Sequence, residues 1–282
     1  MLNGYWGPVT ASIDWCEPNY ELTKYVAEPL NTVTNLSFVL FSIYGAKHEW
    51  NENSRQSNTF MIMYLSVCCI GLGSMAFHGT LTALGQQLDE LPMVWYLLGC
   101  TWSVYSDSFV TPRSRHLIKA LLASYAALFS VLHVYFQSTT AFQVHFIALT
   151  FFVLGSIYKK YSDVILNLEP ELMNICNSFV VFFSAACVMW LIDYHGCEYF
   201  EYLNPYGHCW WHLFMGRAAY YSIAMLKILD DTKRGKTFEL RYDNAMKLPT
   251  TYRKWHPLEK FNVTATPRHT ASRLRAQSDS IV

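Results

Sequence analysis

TFMIMYLSVCCIGLGSMAFHGT, residues 59–80, carries no Lys, Arg, Asp or Glu. It meets the requirement of roughly 20 mostly apolar residues for a helix that crosses the hydrocarbon core of a bilayer. The pattern recurs on both sides of it, giving seven candidate spans: Pro29 to Ala46, Thr59 to Thr80, Leu91 to Ser106, Leu117 to Phe136, Ala141 to Tyr158, Leu172 to Tyr194 and Cys209 to Leu229. The first and third are short and broken by polar residues. Asn31, Thr32, Thr34, Asn35 and Ser37 would be costly against lipid, so the first helix is expected to turn this stripe into the bundle. The expected fold is all-α, an integral membrane bundle of seven transmembrane helices.

Composition agrees. The 282 residues are 52% hydrophobic and 15% charged, against roughly 25% charged in a soluble domain. Formal net charge is zero, which gives no argument for a nucleic-acid partner, and no obligate protein partner is evident. The opening MLNGYWGPVT has neither a basic n-region nor an early apolar run, so insertion is expected to use an internal helix.

The positions of the charges set the orientation. Loops at about 81–90, 137–140 and 195–208 contain no Lys or Arg, whereas all but Lys24 and Arg217 of the 21 basic residues lie toward the opposite side. The positive-inside rule then places the C-terminus in the cytosol and the N-terminus in the lumen. Residues 1–28 form a lumenal segment, 29–231 the membrane domain, and 232–282 a basic tail expected to be mostly disordered. The sequons at Asn35 and Asn262 fall in a helix and in that tail, where neither is expected to carry sugar.

Ionisable groups in membrane helices are expensive and so mark function. In HCWWHL, His208 and His212 are four residues apart, which puts both imidazoles on one helix face about 6 Å apart, as two ligands of one metal require. In GLGSMAFHGTL, Ser74 and His78 share that spacing, and in QQLDELPM, Asp89 and Glu90 stand where the third helix is expected to begin. The charge-derived topology independently places His78, His208, His212, Ser74 and Asp89 at the same lumenal depth. Three protein ligands with a fourth position left open is the arrangement of catalytic zinc. Among the other histidines, His133, His145 and His195 lack a paired partner and read as helix-packing groups.

The N-terminal stretch SIDWCEPNYELTKYVAEP gathers Asp14, Glu17, Asn19, Glu21 and Glu28. Such oxygen donors suit Ca2+, but the spacing is not that of an EF-hand, and on spacing alone a solvated acidic turn is the plainer reading. Of the eight cysteines, Cys16 and Cys197 are candidates for a lumenal disulfide, with Cys209 a competing partner.

Taken in order, GYWGPVTASIDWCEPNYELTKYVAEPLNTVTN, GSMAFHGTL, QLDELPM and HCWWHL resemble the alkaline ceramidases, seven-helix amidases of the endoplasmic reticulum and Golgi apparatus, over about Gly4 to Leu229. The resemblance implies a zinc site of His78, His208 and His212, with Ser74 and Asp89 beside the reacting water and Asp89 as general base. It also implies a Ca2+ site formed by Asp14, the Trp15 carbonyl, Glu17, Asn19 and Glu28, which replaces the acidic-turn reading. Pro18 stands where an acidic residue would be expected, which bears on the loop geometry and not on a ligand. The implied reaction is hydrolysis of the ceramide amide to sphingosine and fatty acid, with the bilayer supplying the substrate. A seven-helix signalling receptor, a transporter, or a hydrolase of another lipid amide or ester are the alternatives; stoichiometric zinc separates the receptor from the enzyme.

Overall fold

The computed structural model describes residues 4–52, 55–197, 199, 206–236, 238–242 and 248–253. A short α1 (Pro29–Thr34) leads into α2 (Leu36–Glu52), followed by α3 (Arg55–Thr80), α4 (Ala83–Tyr105), α5 (Pro112–Phe136), α6 (Thr139–Leu166), α7 (Pro170–Gly196) and α8 (Gly207–Lys233). Among the described residues, four helices are long and apolar enough to cross a membrane: α3 from Asn58, α5, α6 and α7. The chain is accordingly a multi-pass membrane protein.

The remaining long helices, α2, α4 and α8, are more polar because their polar side chains face inward. Ser37, Ser42 and Glu49 of α2, Gln86, Gln87 and Glu90 of α4, and His208, His212, Lys227, Asp230 and Asp231 of α8 are all buried. α3 packs most extensively on α4 and α2, and α7 on α8. Phe60, Met63, Tyr161, Ile175, Tyr220, Ile223 and Leu226 fill the core between them. α5 lies at the rim, with Leu117, Leu121, Leu128 and Val131 exposed to the surroundings, as lipid-facing residues of a peripheral helix are.

Structure and expectation differ most in three places. The first span divides at Asn35, where Asn35 Nδ2 donates to the Asn31 carbonyl and α1 gives way to α2. α4 starts at Ala83 rather than Leu91, because Thr82 Oγ1 accepts the Gly85 N–H at 3.1 Å and caps it. Pro92 lies inside this helix, so Asp89 and Glu90 stand almost two turns within it instead of at its start. The tail contains ordered structure: α8 reaches Lys233, and β1 (Phe238–Tyr242) pairs antiparallel with β2 (Pro249–Arg253) in a register running from Phe238 opposite Arg253 to Tyr242 opposite Pro249. Alternation along β1 places Leu240 on the core while Glu239 and Arg241 pair in solvent. Leu248 is fully buried, and the Tyr220 hydroxyl donates to the Pro249 carbonyl at 2.7 Å. The tail beyond residue 253, including the Asn262 sequon, lies outside the described residues.

Candidate functional site

His78 falls in the last turn of α3, while His208 and His212 occupy the first two turns of α8. Their ring centroids form a triangle with sides of 5.0, 4.9 and 4.5 Å, and one nitrogen from each lies within 4.8 Å of the others. All three are buried.

The N-terminal segment holds this end of the bundle together. Leu81 takes a left-handed φ of 50° in the α3–α4 turn, and its carbonyl accepts the N–H groups of Thr10 and Ala11. Ala27 and Glu28 donate to the carbonyls of Gly79 and His78. Trp15 stacks on His208 at 3.6 Å between centroids, and Thr34 Oγ1 lies 3.0 Å from His212 Nδ1. Glu28 Oε2 is 2.5 Å from His78 Nδ1. In a neutral ring this puts the proton on Nδ1 and leaves the Nε2 lone pair pointing into the triangle, as a carboxylate does for a metal-bound histidine.

His78 Nε2 and His208 Nδ1 are buried and have no hydrogen-bond partner. Buried ring nitrogens without partners are costly in a dry interior. A zinc ion, which takes imidazole nitrogens at about 2.0–2.1 Å and tolerates an open fourth position, fits this donor set.

Ser74 and Asp89 meet where α3 crosses α4. The crossing is close because a Cβ at Gly73 would collide with the Leu88 carbonyl and lie 2.8 Å from the Asp89 nitrogen. The Ser74 hydroxyl is thereby brought within hydrogen-bonding reach of the Asp89 carboxylate. Both side chains join His208 and His212 in the wall of a cavity of about 480 Å³, which is otherwise lined mainly by apolar residues of α3, α4, α6, α7 and α8. Ile147 and Phe151 of α6 and Leu191 of α7 line this cavity yet are exposed on the outer surface, so it reaches the lipid-facing side between α6 and α7.

The acidic segment gathers less evenly. Asn19 Nδ2 donates to Asp14 Oδ2 at 2.8 Å, and Asp14 lies beside Glu28. Asn19 Oδ1 and Glu28 Oε1 are buried without a donor, which suits a cation with oxygen preference such as Ca2+. Glu17 turns to the start of α1, where its two oxygens accept the N–H groups of Leu30 and Asn31 at 2.7 Å each. Burial pushes the carboxyl pKa of Asp14, of Glu17 and, most strongly, of Glu28 above the ordinary range; for Glu28 the nearby Asp14 charge adds to it.

Cys16 and Cys197 form a disulfide with Cα atoms 5.2 Å apart, and Cys209 is a free, buried thiol. His133, expected to be a helix-packing group, joins α5 to α4 through Glu90: its Nε2 lies 2.5 Å from Glu90 Oε2, and Gln86 donates to the other carboxylate oxygen. Local spacing could not show this pair, since 43 residues separate its members. The contacts of Thr34 and Glu28 with the histidines, and the role of Asp193 described below, were missed for the same reason. For Asp193 a signal existed, namely an acid within an apolar helix.

The family described as ceramidase matches residues 7–252 of the chain. An alkaline ceramidase of Arabidopsis thaliana is 30% identical over 86% of this chain and 92% of its own length. Mouse alkaline ceramidase 3 is 32% identical over 78% of this chain and 84% of its own, and human alkaline ceramidase 1 is 28% identical over 83% and 89%. With a match that runs from the N-terminal acidic segment through all the helices to the hairpin, the chain belongs to the ceramidase family.

Proposed function

We propose that this chain is a zinc-dependent intramembrane amidohydrolase that cleaves ceramides to sphingosine and free fatty acid, with Ca2+ on the N-terminal segment modulating it. In this reading seven helices cross an endoplasmic reticulum or Golgi membrane, with the N-terminus and the site toward the lumen and the C-terminus in the cytosol. The observation that carries the reading is the cluster of His78, His208 and His212, two of which, His208 and His212, line an apolar cavity whose wall also holds Ser74 and Asp89.

Zinc held by the three histidines supplies a Lewis acid for the amide carbonyl and acidity for a water molecule. Asp89 takes a proton from the attacking water on its carboxylate and returns it to the departing sphingosine nitrogen. At rest the Ser74 hydroxyl donates a hydrogen bond to the Asp89 carboxylate and keeps its proton. Once Asp89 is protonated, that hydroxyl turns to donate to the developing oxyanion. The cavity takes the hydrocarbon chains, and its opening between α6 and α7 lets a lipid enter without leaving the bilayer.

The test is a panel of ceramides and unrelated lipid amides and esters given to the purified protein with and without Ca2+. Sphingosine and fatty acid in equal amounts are the expected products. Full activity in His208→Ala would overturn the zinc assignment, and turnover of other lipid amides without any ceramide would overturn the substrate class.

A further inference from the structure

α8 starts without a cap of its own. Tyr206 at the N-cap has a left-handed φ of 46° and its side chain makes no bond to the first turn. The acceptor comes from the preceding helix: Asp193 of α7, buried at 1% exposure, takes the His208 N–H on Oδ1 at 3.1 Å and the Gly207 N–H as well. Its second oxygen, Oδ2, accepts the N–H of Cys16 at 3.1 Å. One carboxylate thus grips the N-terminal segment between Asp14 and Glu17 and, with its other oxygen, the backbone of His208.

The surroundings hold this bridge tightly. The Cys16–Cys197 disulfide ties the same loop to the end of α7, one turn beyond Asp193. A Cβ at Gly207 would lie 2.7 Å from the Met189 carbonyl and 3.2 Å from the Asp193 Cβ, so glycine is what lets α8 begin this close to α7. An acid inside an apolar helix is costly unless its oxygens are satisfied, and the N-terminal end of a 27-residue helix favours negative charge.

We infer that Asp193 is a positioning residue that couples the N-terminal segment to the helix carrying His208 and His212, so that Ca2+ on the segment slows the loss of zinc from the histidines. This rests on the two-metal reading above. Asn has one acceptor oxygen and an NH2 in place of the second, so Asp193→Asn cannot receive both sets of N–H groups. The disulfide still anchors the segment in that variant.

The experiment uses the full-length, zinc-loaded protein with its disulfide intact and follows zinc transfer to a chromogenic chelator, with and without added Ca2+. In the wild type Ca2+ is expected to slow release about tenfold, within the range for groups that hold metal ligands in place. Asp193→Asn should release zinc at the Ca2+-free wild-type rate under both conditions while still binding Ca2+ in direct titration. Gly207→Ala keeps the carboxylate but forces α8 away from it, and should do the same. Ca2+-dependent slowing in Asp193→Asn equal to that of wild type overturns the inference, as does a wild type whose zinc release ignores Ca2+. A wild type that holds no zinc breaks the metal reading instead, and hydrogen exchange then decides the role of Asp193: Asp193→Asn must deprotect residues 10–20 and 206–212 together, and unchanged exchange in either overturns it.

Discussion

The two ends of the bundle differ in how many of their buried polar atoms they leave unpaired. At the hairpin end, charges are paired within the protein: Lys227 with Glu49 at 2.6 Å, Lys236 with Asp231 at 2.7 Å, and Arg234 with both Asp107 and Asp230. At the histidine end, His78 Nε2, His208 Nδ1, Asn19 Oδ1 and Glu28 Oε1 are buried without partners. Pairing satisfies groups whose task is to close a structure. Unpartnered polar atoms held in place by a disulfide, a stacked tryptophan and helix-end contacts have the preorganisation that a ligand site requires.

The largest expected effect falls on the histidine end alone. His78→Ala, His208→Ala or His212→Ala should lower kcat for ceramide cleavage by at least about 1,000-fold while the folded protein remains in the membrane. Asp89→Asn should cost about 10²–10⁴-fold, the usual range for a general acid–base group, with zinc content in metal analysis unchanged. A zinc-free Asp89→Asn would make Asp89 a ligand and remove its role as base.

The same contrast explains what could be read from the chain beforehand. Long apolar runs announce α3, α5, α6 and α7 because lipid tolerates little else on their surfaces. α4 was placed too late because Gln86, Gln87, Asp89 and Glu90 interrupt the apolar run, whereas its start is set by the Thr82 cap. The hairpin was passed over within a polar, basic stretch although Phe238, Leu240 and Tyr242 alternate with polar residues as a strand does, because the burial of Leu248 depends on the end of a bundle no local pattern describes. At the site, the i, i+4 histidines and their shared depth were legible because helix geometry and charge bias are both written locally. Glu28 against His78 and Asp193 against His208 join residues 50 and 15 positions apart through the tertiary fold, which spacing cannot encode.

A second variant probes the other side of the contrast. Lys227→Met removes the ammonium that pairs with the buried Glu49 carboxylate, 4% exposed. Removing one member of a buried pair costs about 3–5 kcal/mol, so the thermal unfolding midpoint should fall clearly, while activity per folded molecule stays as in wild type. Adding Glu49→Leu should recover most of the lost stability, because an apolar pair replaces the uncompensated charge. A Lys227→Met protein that lost activity without losing stability would show that the hairpin end takes part in the chemistry.

The smallest expected effect concerns pH and lies in the acidic segment. Burial holds the carboxyl pKa of Asp14, Glu17 and Glu28 above the ordinary range, so the folded segment favours their protonated forms. For acids with raised folded-state values, the resulting stability is fully present below the unfolded value of about 4 and is lost as pH rises through the folded value. Without Ca2+, the segment should therefore loosen as pH climbs out of the acid range, read as faster hydrogen exchange at residues 10–28 once the intrinsic pH dependence is removed. Ca2+ should restore protection at high pH and add little at low pH, since protons and the cation compete for the same oxygens. Asp14→Asn is the informative variant, because Asp14 adds its charge to Glu28 without touching His78. It should lower the pKa of Glu28 and weaken Ca2+ binding while zinc stays in place, and a Ca2+ affinity that ignored both pH and this substitution would return the segment to a plain acidic turn.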